Sequence, residues 1–340
     1  MLKAALIGAG KMGLSHLAIL GAHPKLEVSA VCDSTGFILT GLRKLTKVRT
    51  YKSVKKLLEK EELDLVVVAT PTSTHYDTAK AALERGVAVF MEKPLSLDPA
   101  QSRALCELAR AAGKTCQVGY HNRFLGTFRE AKRVVESGVI GDIHHVEGTA
   151  FGPVVLDKKS NTSWRSKKSE GGGCLHDYAS HVLDLMNFIV GPPSEVRYGH
   201  ACSVFSEHVE DVVQAAFSYP QGFAGRMEAN WSDPTQRKMS TSVRIWGDRG
   251  RVVVDRQECQ VYARFGCEEA GYPVGYTIRY ITELQEPVDY YLRGEEYSAQ
   301  MDAFVNAVEA GDLQNENSFE SACRTDELIA EIARMSGEGK

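Results

Sequence analysis

Residues 3–13 read Lys-Ala-Ala-Leu-Ile-Gly-Ala-Gly-Lys-Met-Gly, an apolar run that leads directly into a glycine-rich turn. The run Lys3–Ile7 is typical of a buried parallel strand. The turn fits the pattern G-x-G-x-x-G with Gly8, Gly10 and Gly13, and a helical pattern follows it. A glycine motif between a strand and a helix is more specific than the motif alone, because dinucleotide-binding sheets begin with this unit. The stretch therefore predicts the start of such a sheet.

The alternation of strand and helix continues to about residue 120. A helical pattern begins after Asp98, which has the sequence signature of an N-cap, and ends at Gly113. Short apolar runs predict further parallel strands at Val28–Cys32, Leu65–Ala69, Val87–Met91 and Thr115–Val118. This alternation predicts an α/β fold with a doubly wound parallel sheet of the Rossmann type over residues 1–121.

The pattern changes after Arg123, where we place the start of a second domain over residues 122–340. Between Glu195 and Phe265 apolar and polar residues alternate in short segments separated by turn residues, which indicates a sheet with one buried face. Helical patterns flank this region at Thr127–Ser137, Ser180–Val190, Ser298–Ala310 and Phe319–Arg334. The second domain is therefore predicted to combine these helices with an antiparallel sheet.

Composition excludes several classes of protein. The chain has 340 residues, 43% of them hydrophobic and 25% charged, which favours two globular domains. A net charge of −4 does not favour nucleic-acid binding, which requires clustered positive charge. No apolar run approaches the roughly 20 residues of a membrane span, and the first residues do not resemble an export signal. The eight cysteines contain no C-x-x-C pair. We expect a cytoplasmic protein.

Each position of the motif requires glycine for a different physical reason. Gly8 would form the tight turn, Gly10 would let backbone amides approach a pyrophosphate, and Gly13 would let the helix pack close to the strand. Asp33 lies 20 residues after Gly13 at the end of a predicted strand, where a carboxylate can bind the ribose hydroxyls. Its charge would repel a 2′-phosphate, so the sequence favours NAD over NADP. The alternative is a glycine turn that binds nothing.

Lys93 directly follows the predicted strand Val87–Met91, in the sequence Glu92-Lys93-Pro94. Ligands of open α/β sheets bind at the carboxyl ends of the strands, so the ammonium group is a candidate for the binding cleft. Pro94 disfavours a helical conformation at Lys93. The alternative is an exposed lysine in a loop, since most lysines are solvated.

A second cluster of chemically active residues lies just before and within the helix near Ser180. If that helix begins near Asp177, then Asp177, His181 and Asp184 share one face. A carboxylate one turn from an imidazole can fix its tautomer and support its charged form. The alternative is an N-capping aspartate beside an interior histidine. No group of residues has the spacing of a metal site, so we expect no metal.

Substrate contacts are expected from two further places in the chain. Tyr120, Asn122 and Arg123 leave the last parallel strand at the edge of the cleft. Trp164 and Arg165 lie in a loop that is rich in lysine, including Lys158 and Lys159. This loop could close over the site or bind an anionic group, and the alternative is a solvated basic loop.

Together these motifs resemble the glucose–fructose oxidoreductase/inositol dehydrogenase (Gfo/Idh/MocA) family, and the resemblance covers nearly the whole chain in order. It rests on the glycine motif with His16 after it, Ala69-Thr70-Pro71 with His75, Glu92-Lys93-Pro94, Val118-Gly119-Tyr120 with Arg123-Phe124, and the segment Gly171-Gly172-Gly173 with Asp177 and His181. One departure is Ala179, which stands where the family often has glycine between the aspartate and the histidine.

The resemblance implies an NAD-dependent enzyme that acts on a secondary alcohol of a sugar, inositol or sugar nucleotide. It implies that Lys93, Asp177 and His181 form the catalytic set and contact the substrate. Implied contacts to the dinucleotide are Gly8, Gly10, Lys11, Met12, Gly13, Asp33, Thr70, Pro71, His75, Glu92 and Lys93. It also implies a C-terminal α/β domain with an open, mainly antiparallel sheet, which mediates a homodimer or homotetramer.

The chemistry then follows from the residue types. His181 would act as the general base in oxidation and as the acid in reduction, with Asp177 orienting it or binding a substrate hydroxyl. Lys93 would stabilise the developing alkoxide, or would itself carry the proton. Two other functions stay open for this sequence, an NAD-retaining glycoside hydrolase and a nucleotide-responsive regulator without turnover.

Overall fold

The structure is a computed structural model that describes residues 1–157 and 164–337. The packing divides the chain into two compact units. The first contains residues 1–121 and 287–326, and the second contains residues 122–157, 164–286 and 327–337. The two units are described separately.

Within the described ranges, the first unit is built on a six-stranded, all-parallel sheet in the order β3-β2-β1-β4-β5-β6. Its strands are β1 Leu2–Ile7, β2 Leu26–Cys32, β3 Arg49–Tyr51, β4 Leu65–Val68, β5 Ala88–Met91 and β6 Cys116–Val118. The strand order reverses between β1 and β4, which is where ligands of open α/β sheets bind. The predicted doubly wound sheet is confirmed.

The helices between these strands are α1 Lys11–Ala22, α2 Gly36–Leu45, α3 Val54–Lys60, α4 His75–Leu83 and α5 Pro99–Ala112. The predicted caps of α5 are present: the Asp98 carboxylate accepts a hydrogen bond from the Ala100 amide, and Gly113 adopts a left-handed conformation at the C-terminus. Both faces of the sheet are buried, which explains the continuous apolar runs in its strands.

The C-terminal part of the chain corrects the expected domain assignment. We assigned residues 122–340 to a single second domain, but residues 287–326 pack with the first unit. Helix α9 (Glu295–Ala310) places Met301, Phe304 and Val305 on one face of the parallel sheet. The first residues of α10 (Phe319–Met335) join the core on the other face. The physical reason is that a parallel sheet must be covered on both faces, whichever part of the chain supplies the helices.

The second unit contains, in the residues that the structure describes, an eight-stranded sheet in the order β14-β13-β12-β11-β7-β10-β9-β8. Neighbouring strands are antiparallel except for the parallel pair β7 and β10, which confirms a mainly antiparallel sheet. The strands are β7 Ile143–Phe151, β8 Glu195–Cys202, β9 Val212–Ser218, β10 Ala224–Asn230, β11 Ser240–Gly247, β12 Gly250–Asp255, β13 Glu258–Ala263 and β14 Gly275–Tyr280.

Helices α6 (Gly126–Glu136) and α7 (Ser180–Val190) cover one face of this sheet, and a short helix α8 (Ile281–Leu284) follows β14. The bounds of α7 match the predicted helix. Val182 and Met186 of α7 pack so closely on β7 that a side chain at Gly148 would meet both. The other face of the sheet is open and carries the exposed residues of the alternating pattern.

No helix in the described ranges is long and apolar enough to cross a bilayer.

We predict that Phe304→Ala destabilises the first unit by about 3 to 5 kcal/mol, because it removes a fully buried ring that packs 5.7 Å from the ring of Phe90. Phe37→Ala is the matched control, since Phe37 lies on α2 of the same unit and is exposed, and should change stability by less than about 0.5 kcal/mol. Urea denaturation of both variants measures the difference. Equal effects would contradict the assignment of residues 287–326 to the first unit.

Candidate active site

The glycine turn at the end of β1 has a backbone that larger residues would disrupt. Gly8 has a φ of +93°, and a Cβ there would lie 2.6 Å from the carbonyl oxygen of Ala69, just after β4. A Cβ at Gly13 would overlap the carbonyl oxygen of Gly8. Gly10 has open space around it. Helix α1 therefore packs directly on the turn, as the motif predicts, and the surface at Gly10 is open.

Helix α1 begins at Lys11 with Gly10 as its N-cap, and no side chain caps it. The first amide groups of a helix have no partners within the helix and favour a negatively charged ligand. Lys11 is exposed and Met12 is half-buried at this end. The uncapped helix, the open surface at Gly10 and the position of the turn fit the pyrophosphate of a dinucleotide.

Asp33 follows β2 on the same edge of the sheet. Its Oδ2 accepts a hydrogen bond of 2.6 Å from the amide of Ala9, and its Oδ1 accepts one of 2.6 Å from the amide of Thr35. The carboxylate thus connects the glycine turn to the loop after β2, a structural role that the sequence did not reveal. Its predicted contact with the ribose stays a prediction.

Thr70 and Pro71 follow β4, the strand beside β1. The Thr74 hydroxyl bonds to the Thr70 hydroxyl at 2.8 Å and donates to the Pro71 carbonyl at 2.9 Å. Thr70 is half-buried and Pro71 is exposed. Both therefore lie at the carboxyl edge of the sheet where the resemblance places the dinucleotide.

His75, the first residue of α4, is fully buried between two loops. Its Nδ1 lies 2.9 Å from the Pro94 carbonyl oxygen and its Nε2 lies 3.1 Å from the Thr70 carbonyl oxygen. Burial lowers the pKa of His75 below its usual range, although the two carbonyl contacts oppose this. The side chain joins the loop after β4 to the loop after β5. It thereby supports residues at the cofactor edge, while its predicted direct contact with the dinucleotide stays a prediction.

Glu92 and Lys93 follow β5, two strands from β1 in the sheet. The Glu92 Oε1 lies 2.6 Å from Nε2 of His16, a residue of α1, and the Oε2 accepts a hydrogen bond of 3.3 Å from the Lys93 amide. Burial alone would raise the pKa of Glu92, but the hydrogen bond from His16 and the nearby charge of Lys93 lower it below its usual range. Glu92 is therefore a carboxylate at neutral pH.

Tyr120 and His121 follow β6. Tyr120 is buried in the core of the first unit, and its carbonyl accepts a hydrogen bond of 3.1 Å from Nδ2 of Asn317. His121 stacks on Tyr297 of α9 with 4.5 Å between ring centroids. The buried ring of Tyr120 contributes to core packing, and its predicted contact with substrate stays a prediction.

Asn122 and Arg123 belong to the second unit. Among the described residues, the buried Asn122 Nδ2 has no hydrogen-bond partner, as expected of a group that binds a ligand. Arg123 is buried, and its guanidinium donates two hydrogen bonds to Asp184, from Nε at 2.8 Å and from Nη2 at 2.6 Å. This bidentate pair gives Arg123 a structural role that the sequence did not indicate, and its contact with substrate stays a prediction.

Asp177 lies in a single π-helical turn, Leu175–Ala179, which leads into α7. The sequence analysis considered an α-helix that starts near Asp177. This start is incorrect in detail, because regular α-helical geometry begins only at Ser180. Such π-turns occur frequently at functional sites. Asp177 and His181 are both buried, and Ala179 is fully buried at the end of the turn.

The triple glycine before this turn has a physical explanation. Gly173 has a φ of +107°, and a side chain there would overlap the carboxylate of Glu210, which accepts a hydrogen bond of 2.8 Å from the Leu175 amide. A side chain at Gly172 would overlap the carbonyl oxygen of Arg165. The glycines thus let two other segments approach the start of the π-turn.

Trp164 and Arg165 form a short 3₁₀ turn beside Asp177. The Arg165 Nε donates a hydrogen bond of 2.9 Å to the Asp177 Oδ2, and its guanidinium lies 4.8 Å from the ring centroid of Trp164. This pair joins two residues that the sequence assigned to the site for separate reasons. Lys158 and Lys159, the other basic residues of the loop, lie outside the described residues.

Metal ligands were sought in the same ranges. Residues 1–157 and 164–337 contain no group of three or more His, Cys, Asp or Glu side chains that could hold a metal ion.

A parallel sheet with a glycine turn at its switch point, joined in one chain to a second unit with a mainly antiparallel sheet, defines a dinucleotide-binding class of protein. The chain belongs to the GFO/IDH/MocA family of oxidoreductases. Residues 2–120 match the oxidoreductase family with an NAD-binding Rossmann fold, and residues 128–253 match the GFO/IDH/MocA C-terminal domain.

Curated relatives and solved structures agree with this placement. The chain is 30% identical to scyllo-inositol 2-dehydrogenase (NAD(+)) of Bacillus subtilis over 239 residues, 68% of each protein. It is 27% identical to D-glucoside 3-dehydrogenase of Escherichia coli over 269 residues, 73% of this chain and 75% of that protein. The structure of levoglucosan dehydrogenase in complex with NADH and levoglucosan shares the fold, with a TM-score of 0.88, 23% identity, and coverage of 99% and 97% of the two chains.

We predict that Gly13→Ala weakens NADH binding by at least about tenfold, because the added methyl group forces α1 away from the turn that is predicted to hold the phosphates. Gly21→Ala is the control on the same helix, where a Cβ meets nothing within 4 Å. It should bind NADH normally and be more stable by up to about 1 kcal/mol. Fluorescence titration and thermal unfolding measure both. Normal NADH affinity in Gly13→Ala would show that the turn does not bind the cofactor.

Proposed function

We propose that this oxidoreductase is an NAD-dependent dehydrogenase that oxidises a secondary alcohol on the ring of a sugar, a sugar nucleotide or an inositol. The observation that carries the proposal is the position of Lys93. It follows β5 at the carboxyl edge of the sheet, two strands from the glycine turn after β1, a separation of about 10 Å. A lysine that leaves the sheet at this distance from the glycine turn is suited to a substrate oxygen near the far end of a dinucleotide whose phosphates lie at that turn.

The proposed roles follow from the chemistry of each side chain. When bound, NAD supplies the acceptor for the hydride. Lys93 stabilises the developing alkoxide, and His181 accepts the hydroxyl proton in oxidation and returns it in reduction. Lys93 as the proton carrier is the alternative assignment. Asp177 orients the imidazole or binds a neighbouring hydroxyl, and its hydrogen bond from Arg165 fixes the carboxylate for either task.

The substrate class is inferred from the relatives. Their names include a scyllo-inositol 2-dehydrogenase, a D-glucoside 3-dehydrogenase and a levoglucosan dehydrogenase. The exposed ring of Trp164 is suited to packing against the face of a sugar, and the buried amide of Asn122 is suited to a hydroxyl. Tyr120, Arg123 and Arg165 are further proposed substrate contacts.

The proposal is tested by incubating the purified protein with NAD and three groups of compounds: free inositols, sugars and glycosides, and UDP-sugars. Accumulation of NADH in proportion to oxidised product is expected for one group. Product release without net NADH would identify an NAD-retaining glycoside hydrolase instead. NADH binding without turnover on any compound would favour a regulatory protein.

We predict that Lys93→Met and His181→Asn each slow hydride transfer by about 10² to 10⁴, because each removes a group that acts on the reacting hydroxyl. The loss in the double variant should be much smaller than the product of the two single losses, since residues that act on one step are not additive. Single-turnover measurements at saturating NAD give these rates.

Lys80→Met and His200→Asn are the matched controls for this experiment. Lys80 is a half-buried lysine on α4 that faces Glu84, and His200 is an exposed histidine on β8. Both should retain the rate of the unmodified protein. Unchanged hydride transfer in Lys93→Met and His181→Asn would show that the catalytic assignment is wrong.

We further propose that the chain forms a homodimer or homotetramer through the open face of the second sheet. Exposed apolar side chains are concentrated on β13 and β14, where Tyr276 and Ile278 alternate with half-buried residues and Tyr276 packs 4.9 Å from Tyr262. An exposed patch of this kind marks an interaction surface.

We predict that Tyr276→Lys combined with Ile278→Lys dissociates the oligomer, because the two charges would be buried without partners at the interface. Phe37→Lys, which places a charge at an exposed apolar position of the first unit, is the control. Light scattering after size-exclusion chromatography measures the mass of each variant. An unmodified protein that is already monomeric, or an oligomer that survives both lysines, would overturn this part of the proposal.

We also propose a cytoplasmic location. All eight cysteines lie in the described ranges and are free, and six of them are buried. Free cysteines in this number are typical of a reducing compartment.

A further inference from the structure

We propose that His16 is a positioning residue for Lys93: it holds the Glu92 carboxylate and thereby fixes the Glu92–Lys93 backbone against the helix that binds the dinucleotide phosphates. The proposal rests on the proposed function of Lys93. His16, Glu92 and Lys93 all belong to the first unit.

The imidazole of His16 is held in one place. The residue is fully buried on α1, one turn beyond Gly13, and its ring packs edge-on against Phe90 with 5.3 Å between centroids. Phe90 lies on β5, two residues before Glu92, and packs in turn on Phe304. A ring fixed on one side by α1 and on the other by β5 can place a hydrogen-bond donor accurately.

The donor is Nε2, which lies 2.6 Å from the Oε1 of Glu92. A carboxylate only accepts hydrogen bonds, so Nε2 must carry a proton. Nδ1 is buried, and no described residue gives it a hydrogen-bond partner. A proton on Nδ1 would therefore be an unsatisfied buried donor, which costs about 1 to 3 kcal/mol. The geometry thus assigns a proton to Nε2, the nitrogen that faces Glu92.

Glu92 transmits this contact to Lys93. Its second oxygen, Oε2, accepts a hydrogen bond from the Lys93 amide, so one carboxylate joins α1 to the backbone of the lysine. Gly119 borders the same carboxylate, and a Cβ there would lie 3.4 Å from Oε1. The Glu92 side chain is only 15% exposed, so loss of the donor from His16 would leave a largely buried charge with less compensation. His16 thus acts through Glu92 and does not itself contact the reacting atoms.

The test compares three variants. His16→Leu keeps an apolar side chain against Phe90 but removes the donor, and it should lower kcat at least about thirtyfold while NADH affinity changes by less than about threefold. His16→Gln supplies an N–H group at a similar reach and should restore kcat to within about fivefold of the unmodified protein. In a Glu92→Gln background, His16→Leu should have little additional effect, because the residue through which it acts has already been changed.

The control is His23→Leu. His23 is a buried histidine at the C-terminus of the same helix, and its Nε2 lies 3.1 Å from Asp302 rather than near Glu92. This variant should lose thermal stability, as His16→Leu does, but keep kcat. Equal losses of kcat in the two leucine variants, or no rescue by glutamine, would show that His16 is merely a packing residue and would overturn the proposal.

A measurement without substrate separates this proposal from the proposed function. Long-range ¹H–¹⁵N NMR of the unmodified protein labelled at histidine should show a proton on Nε2 of His16, whose signals are assigned by their absence in His16→Gln. An imidazole with its only proton on Nδ1 would overturn the proposal whatever the protein catalyses, because Glu92 would then have no donor on His16. The expected proton on Nε2 in a protein that oxidises no alcohol would leave the His16–Glu92 contact in place and refute the function of Lys93 instead.

Discussion

The close approach of α1 to the end of β1 is the constraint on which the first unit depends. Gly13 lies so near the carbonyl of Gly8 that no side chain fits between them, and Gly8 lies equally near the loop after β4. This packing sets the height of α1 above the sheet. A hydrogen bond of 2.6 Å between α1 and the loop after β5 forms only at that height, because hydrogen bonds weaken steeply beyond their normal length. The glycines thus determine the shape of the turn and the position of the next two loops together.

Side chains fix the loops at the carboxyl edge of the sheet, beyond the last backbone hydrogen bonds between the strands. Asp33 binds the amides of Ala9 and Thr35, and His75 lies between the carbonyls of Thr70 and Pro94. Asn317, from the C-terminal part of the first unit, donates to the carbonyls of Val118 and Tyr120. Each contact satisfies backbone groups that the sheet no longer pairs. Loops tied in this way can present ligand-binding groups with little reorganisation.

The sequence predicted the elements well because their signals are local. Alternating periods located the parallel sheet, and the caps of α5 followed from Asp98 and Gly113. The sequence did not predict which distant side chains pair with each other. His16 and Glu92 are 76 residues apart, Arg123 and Asp184 are 61 residues apart, and no local pattern connects either pair. The sequence did not predict the π-helical turn at Asp177, because the spacing of apolar residues does not distinguish a single π-helical turn from an α-helical one. The helices of residues 287–326 were recognised, but an apolar face does not indicate which sheet it covers.

The return of residues 287–326 to the first sheet affects when that sheet can complete its folding during translation. A ribosome releases residues 1–121 early, yet Met301, Phe304 and Phe319 complete the core on either side of that sheet. The parallel sheet therefore keeps apolar surface uncovered until residues 287–326 have been translated, although domains that are continuous in sequence can fold one after another. Residues 1–121 are thus synthesised before the second sheet, but their core is completed only after it.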